Sequence, residues 1–309
     1  MKPLDFLIIG AQKCATTALF EHLRGHPQIA MPLQKEVPFF TGNDCSEEAW
    51  QAFSLDQFGT GQEHKLWGKA SPQYMCDPRV PARIRSLMPQ TKLVAILRDP
   101  MARTWSHFQM GQRRDTEQRS FASAVEALLS DEALAAGRSL PVPEHTEGYQ
   151  SESEFYVAWS EYGRALSNFT ASFDPGQLLV LYAEDLERDP AATIDRLLEF
   201  IGLEPGYRPS TLGEVIHRGG SGKRIPHSIR VWLREQKLLY WLWQQVPEAR
   251  RGRLRFQYEQ WNITRNKDGM DLPDRLRHAL RDHYGADLRS LLALQVTPPP
   301  WIDRYLGEA

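Results

Sequence analysis

Short unbroken apolar runs alternate with stretches of helical spacing along most of this chain. Phe6-Leu7-Ile8-Ile9, Lys92-Leu93-Val94-Ala95-Ile96-Leu97 and Gln177-Leu178-Leu179-Val180-Leu181-Tyr182 lack polar alternation, so each predicts a strand buried on both faces. Ile29-Ala30-Met31 and Leu66-Trp67-Gly68-Lys69-Ala70 predict two shorter strands, the second breaking at Pro72. Ala18-Leu19-Phe20 with Leu23 has helical spacing after Thr16 and Thr17. Further helices are predicted within 46–66, ending near Met88, opening at Pro100, over Glu154 to Phe173, and from Asp189-Pro190 to Ile201 with Gly202 as the stop. Ile229 to Trp243 is apolar most of the way round, which predicts a helix buried in the core or at a contact between copies of the chain. Residues 271–294 predict an amphipathic helix pair, and Pro298-Pro299-Pro300 leads a short tail. Parallel-type strands separated by helices predict an α/β chain. The stretch 111–155 carries the least pattern. Its charge run Gln112-Arg113-Arg114 and its Leu140 to His145 segment read as a flexible, lid-like insertion or as a plain surface loop.

The first strand leads into the stretch with the sharpest chemistry. Gly10 and Ala11 permit a tight turn, followed by Gln12-Lys13-Cys14-Ala15-Thr16-Thr17 at a helix start. A helix N-terminus offers N–H groups and a positive dipole end, Lys13 adds a charge, and the threonines add hydroxyls, so the turn is a candidate anion site. A plain helix start beside a buried strand is the alternative. The Walker spacing G-x-x-x-x-G-K-[ST] is absent, since Lys13 follows Gly10 by three residues with no second glycine before it.

Other candidates fall at predicted strand ends. Arg98 closes the second long strand and Ser106 lies two turns into the next helix, so the two could hold a phosphate or could be a surface arginine and a helix serine. Glu36, in Lys35-Glu36-Val37-Pro38-Phe39-Phe40, is either a solvated loop charge or a base whose pKa the aromatic flank raises by desolvation. Lys69 is a second basic candidate. Ser221-Gly222-Lys223-Arg224 reads as a flexible anion-seeking loop or a charged linker.

A net charge of −2 removes bulk basicity as a reason to expect a nucleic-acid partner. The cysteines Cys14, Cys45 and Cys76 lack metal-ligand spacing and a disulfide pattern, which predicts a cytoplasmic, reducing location and no metal. No apolar run approaches the length of a transmembrane helix, and no signal-peptide pattern opens the chain.

Gly10-x-x-Lys13-x-x-Thr16-Thr17 resembles the 5′-phosphosulfate loop of sulfotransferases, in which glycine often stands where this chain has Ala15. Arg98-Asp99-Pro100, Arg103 and Ser106 resemble their 3′-phosphate motif R-x-P-x-x-R-x-x-S, with Phe108 where tyrosine is common. Tyr162 to Leu166 and Val180 to Leu203 resemble the strand–helix segment that follows. Lys35 to Phe40 is similar to the K/R-E-x-H-F-F segment of the heparan sulfate 3-O- and N-sulfotransferase branch and related bacterial enzymes, with Pro38 replacing histidine. Gly68 to Tyr74 is similar to their K-x-P-x-Y segment, with one extra residue before the proline.

The resemblance implies a P-loop-like three-layer α/β/α fold with a central, mainly parallel sheet, forming a single domain over 1–309 with a helical region over about 226–309. It implies sulfuryl transfer from 3′-phosphoadenosine-5′-phosphosulfate to the hydroxyl of a small molecule, carbohydrate or natural product. In that scheme Lys13, Glu36 and Lys69 are catalytic. Gln12, Lys13, Cys14, Ala15, Thr16, Thr17, Arg98, Ser106, Ser221, Gly222, Lys223 and Arg224 hold the nucleotide. His107, beside Ser106, is read as a helix position and not as the base. The rivals are a P-loop-type kinase, which needs Mg²⁺ and a Walker lysine, and a nucleotide-binding module that turns nothing over.

Overall fold

Runs with no polar position cannot leave one face in water, and here they form the centre of a sheet. β1 (Phe6–Gly10), β2 (Ile29–Ala30), β3 (Leu66–Ala70), β4 (Lys92–Leu97) and β5 (Leu178–Tyr182) assemble in the order β2–β3–β1–β4–β5. All four pairings are parallel. The computed structural model describes residues 1–114, 116–139, 155–209, 212, 221–223, 263–265 and 270–307.

Alternation along each strand divides the side chains between two cores, as a helix-covered sheet requires. Phe6, Ile8, Val94, Ile96, Leu179 and Leu181 face the core built by α1 (Thr16–Arg24) and α9 (Pro190–Ile201), with Leu186 of the short α8 (Ala183–Arg188). Leu7, Ile9, Leu93, Ala95, Leu97 and Val180 face the other, larger core. Its helices include α2 (Glu47–Phe58), α3 (Val80–Leu87), α4 (Pro100–Arg114), α5 (Phe121–Leu128), α7 (Tyr162–Thr170) and α10 (Asp274–Ala293). The result is the three-layer α/β/α arrangement, with fully buried side chains on β1 each contributing about 1.5–3 kcal/mol.

Four expectations need correction. Residues 121–139 are not loop: α5 is capped by Ser120, which accepts from the Ser123 N–H, and α6 (Asp131–Ser139) begins with two acidic residues at its dipole. The remainder of the lid expectation, 140–154, lies outside the described residues. The helix predicted over 154–173 is divided into a turn at Ala158–Ser160 and α7, because Glu161 leaves helical geometry to bind Arg138 of α6, Arg164 of α7 and His283 of α10. Hydrogen bonds from His283, Arg138 and Arg164 hold the buried Glu161 carboxyl down at about 2 although burial pushes it up.

The predicted helix pair over 271–294 is one 20-residue helix, α10. The short tail after Pro300 packs on the fold, with Trp301 and Tyr305 of the segment that includes α11 (Asp303–Leu306) buried. Ser221–Lys223 forms a strand, β6, paired antiparallel with β7 (Ile263–Arg265), so the expected flexible loop is a ladder over those residues. Arg224 and the aromatic stretch 229–243 lie outside the described residues.

Candidate active site

The strand order places β1 between β3 and β4, and the chain leaves β1 toward one neighbour and returns beside the other. Crevices at such points, outside the carboxyl ends of the strands, are where open α/β sheets bind ligands. Three predicted site residues stand at these ends: Lys13 after β1, Lys69 in β3 and Arg98 after β4. The loop carrying Glu36 joins them, because the Glu36 N–H donates to the Ala70 carbonyl at 3.1 Å.

The first loop is built for close backbone approach. A side chain at Gly10 would meet the Met75 Cβ at 2.6 Å, so only glycine fits there. Lys13 and Ala15 take left-handed backbone, at φ 73° and 64°. Ala15 is the N-cap of α1 and no side chain caps that helix. The first-turn N–H groups of a helix have no partner within it, so this start is open to an anion. The left-handed φ also accounts for glycine being common at this position in the resembling loops. Ala15→Gly is expected to raise stability by up to about 1 kcal/mol by relieving that conformation. Urea denaturation checks this, and a clear loss would mean that the methyl packs usefully.

Positive charge gathers around the loop. Burial pushes Lys13 down to about 8, helped by Arg113, Arg114 and Arg103. Gln12 Oε1, His107 Nε2 and Arg113 Nη1 are buried without a hydrogen-bond partner among the described residues. The Arg98 side chain, half-buried, likewise has no hydrogen-bond or ion-pair partner among the described residues. Gln12 Oε1 can only accept, but the open N–H groups of His107, Arg113 and Arg98 are donors, a chemistry that suits an anion.

Arg103, grouped in the sequence with phosphate-motif residues, does something else. Its Nε donates to the Gln12 carbonyl at 3.0 Å, one Nη to the Tyr156 carbonyl and Ser160 Oγ at 3.0 and 2.8 Å, and the other to His107 Nδ1 at 2.8 Å. It is fully buried and braces the first loop against α4. Because Arg103 can only donate, Nδ1 accepts and the His107 proton sits on Nε2. Burial, with Arg103, drives His107 well below its usual value, so it stays neutral. Cys14 is also fully buried, its thiol 3.7 Å from the Tyr162 hydroxyl, and burial raises it to about 11. Its side chain therefore faces the core, and only its backbone is left for a ligand.

Glu36 has left-handed backbone, φ 70°, and its carboxylate pairs with Lys35. Burial pushes the carboxyl up, but Lys35, a hydrogen bond from Gln73 and the charge of Arg114 outweigh that and hold it below its ordinary value. The expected upward shift is thus reversed. Phe39 and Phe40 lie in the core, against Trp50 at 5.1 Å and Tyr74 at 5.8 Å between ring centres. Lys69 is fully buried, hydrogen-bonded to Ser71, with its ammonium 5.0 Å from the centre of the Tyr74 ring. Burial pushes it down to about 7, partly countered by Glu36.

Ser106 is nearly buried on α4, and β6 runs beside that helix, bringing Ser221–Lys223 to the same side of the fold. Sequence reasoning missed Arg113 and Arg114, taken only as a charge run. Their signal was helical spacing: Arg103, His107 and Arg114, and likewise Ser106 and Arg113, recur on one face of α4. Among the described residues no group of His, Cys, Asp and Glu could hold a metal ion, and no helix is long and apolar enough to cross a membrane.

The profile of the sulfotransferase domain family matches residues 3–218. The chain is 30% identical over 213 residues to the bifunctional heparan sulfate N-deacetylase/N-sulfotransferase 4 of Mus musculus, a match covering 66% of this chain and 23% of that one. It is 28% identical over 198 residues to the heparan sulfate glucosamine 3-O-sulfotransferase 3A1 of Mus musculus, covering 64% and 45%. The chain thus spans less than half the length of either relative. The structure is similar to that of a sulfotransferase from Alicyclobacillus acidocaldarius, with a TM-score of 0.56 and 21% identity over 81% of this chain and 99% of that one. That likeness is one of fold.

Proposed function

Since the chain belongs to the sulfotransferase domain family, we propose that it moves a sulfuryl group from 3′-phosphoadenosine-5′-phosphosulfate to an acceptor hydroxyl on a small molecule, carbohydrate or natural product. The observation that carries this reading is the gathering of positive groups at the ends of β1 and β4: Lys13 beside Arg113, Arg114 and Arg103, a helix start whose N-cap Ala15 makes no side-chain cap, and an Arg98 side chain with no partner among the described residues. The donor, when bound, supplies an activated sulfuryl group on a 5′-phosphate.

The chain's own residues divide the remaining work. Thr16, Thr17 and the backbone from Gln12 to Ala15 surround the 5′-phosphate, and Lys13 neutralises the charge that grows on its bridging oxygen. Arg98 and Ser106 take the 3′-phosphate, with Ser221, Gly222, Lys223 and Arg224 closing from the far side. Glu36 removes the proton from the acceptor hydroxyl. Lys69, buried behind the Glu36 loop, holds its strand end and places a titrating ammonium near the base. No step is assigned to a metal. The chain is read as one domain over 1–309. Its three unpaired cysteines suit a reducing, cytoplasmic setting.

The test of nucleotide reading is Arg98→Ala. Loss of a charge-assisted, two-pronged bond to phosphate is expected to weaken 3′-phosphoadenosine-5′-phosphate binding by about 10- to 100-fold. Adenosine 5′-phosphate should bind the variant nearly as it binds the wild type. Calorimetric titration of both nucleotides decides, and equal losses for the two would show that Arg98 does not read the 3′-phosphate. Sulfate transfer from labelled donor to an acceptor panel, with and without a chelator, tests the reaction itself. Phosphoryl transfer from ATP that the chelator abolishes would replace this reading with a kinase.

A further inference from the structure

The segment from Thr297 to Leu306 lies beyond the stretch matched by the family profile, yet it packs onto the turn that carries Arg98. Its entry is fixed by the Tyr182 hydroxyl, which donates to the Thr297 carbonyl. Trp301 is buried, its ring meeting Tyr182 edge-on at 6.2 Å and Tyr305 at 5.9 Å between centres.

From there two side chains reach the residue after Arg98 directly and a third reaches it through Glu184. The Tyr305 hydroxyl donates to Asp99 Oδ1 at 2.9 Å and accepts from the Met101 N–H at 3.3 Å. Arg304 pairs with Asp99 Oδ2 at 3.2 Å. Trp301 Nε1 donates to Glu184 Oε2 at 3.2 Å, and the other oxygen of Glu184 accepts the Asp99 N–H at 3.0 Å. The carbonyl of the same Arg98–Asp99 peptide accepts from the Tyr162 hydroxyl at 2.8 Å.

This is more than a helix cap requires. Asp99 already caps α4 through the Ala102 N–H at 3.0 Å, as Ser46 caps α2 and Ser120 caps α5 with no third element involved. Here both polar atoms of one peptide unit are tied down, and the capping carboxylate receives two more donors. The plane of that peptide sets the direction in which the Arg98 side chain leaves the backbone. Arg98 itself has no partner among the described residues, so its aim depends on its root. Burial, together with the Asp99 charge, drives the Tyr305 phenol far above the ordinary tyrosine range, so it remains a donor at any working pH.

We propose that the Thr297–Leu306 segment is a positioning element for nucleotide recognition, in which Trp301, Arg304 and Tyr305 fix the Arg98–Asp99 turn so that Arg98 is presented to a 3′-phosphate. The inference rests on the reading of Arg98 as the 3′-phosphate contact.

The double variant Trp301→Phe/Tyr305→Phe keeps an aromatic ring at each position, smaller at the buried Trp301, and removes both donors. Calorimetric titration with 3′-phosphoadenosine-5′-phosphate and with adenosine 5′-phosphate gives the discrimination ratio, and thermal melting gives stability. The ratio is expected to fall by about tenfold, through the bisphosphate alone. A lower melting temperature with an unchanged ratio overturns the proposal, because a merely structural contact predicts that result. Should the double variant fail to fold, Arg304→Gln is measured in the same way; its side chain is 74% exposed and the change leaves the core intact. A wild type that discriminates, with a variant ratio that does not move, removes the positioning role only. A wild type that binds both nucleotides equally removes the Arg98 reading and this inference with it.

Discussion

Glu36→Gln is expected to slow single-turnover sulfuryl transfer by about two to four orders of magnitude, the usual loss on removing a general base. Affinity for 3′-phosphoadenosine-5′-phosphate should stay within about twofold, because the substitution keeps shape and hydrogen-bonding capacity. The backbone tether from the Glu36 N–H to the Ala70 carbonyl does not involve the side chain, so the loop should hold. The carboxyl is held below the ordinary glutamate value, so the acid limb of the wild-type rate should fall at lower pH than for a free glutamate. The sign follows from which form works: the carboxylate is the base, so activity is full above that value and is lost as pH drops through it. Lys35→Gln removes the first counterweight to burial and should move the limb upward. A Glu36→Gln protein with a normal single-turnover rate would place the base elsewhere. His107 would be a poor replacement, since it is buried with its accepting nitrogen occupied by Arg103. Lys69, held near 7, would be the next candidate.

The reach of the sequence follows the range of the interactions concerned. β1, β4 and β5 and the starts of α1 and α4 were legible because each is set locally, by an apolar run, a small-residue turn or Pro100. The candidate residues at the ends of those elements could be picked out for the same reason. What was not legible depends on contacts across the chain. Glu161 breaks a predicted helix because Arg138, 23 residues earlier, and His283, far later, meet it. The docking of Trp301 and Tyr305 on Glu184 and Asp99 joins residues more than a hundred positions apart. The Glu36 pKa is a different failure. Desolvation was anticipated, but the neighbouring Lys35 was in plain view and its charge, with Gln73 and Arg114, outweighs burial. Arg103 shows the limit of motif reading, since a residue in a phosphate-like pattern proves to be a brace that touches Gln12, Tyr156, Ser160 and His107.

Lys13→Ala is expected to lower the transfer rate by about 10³-fold, comparable to or larger than the loss of a single oxyanion donor, because a full charge at the leaving oxygen disappears. The free protein should be no less stable, and even slightly more so. Lys13 is half-buried beside Arg103, Arg113 and Arg114, and those like charges already oppose its protonation. Removing it relieves the repulsion. A lysine retained for structure would show the opposite pattern, a lower melting temperature with activity spared. The same cluster gives a second readout. Free Lys13 loses its proton near pH 8, whereas a bound polyanion favours the charged form and raises that value. Binding of 3′-phosphoadenosine-5′-phosphate at pH 8.5 should therefore take up a proton, while at pH 7 Lys13 is already charged and takes up little. Affinity should decline as pH rises through about 8 in the wild type, and that decline should be lost in Lys13→Ala. Calorimetry at pH 8.5 in buffers of different ionisation enthalpy measures the uptake directly. Equal proton uptake by the wild type and Lys13→Ala would mean that the nucleotide does not meet Lys13, and the positive cluster at the end of β1 would then need another ligand.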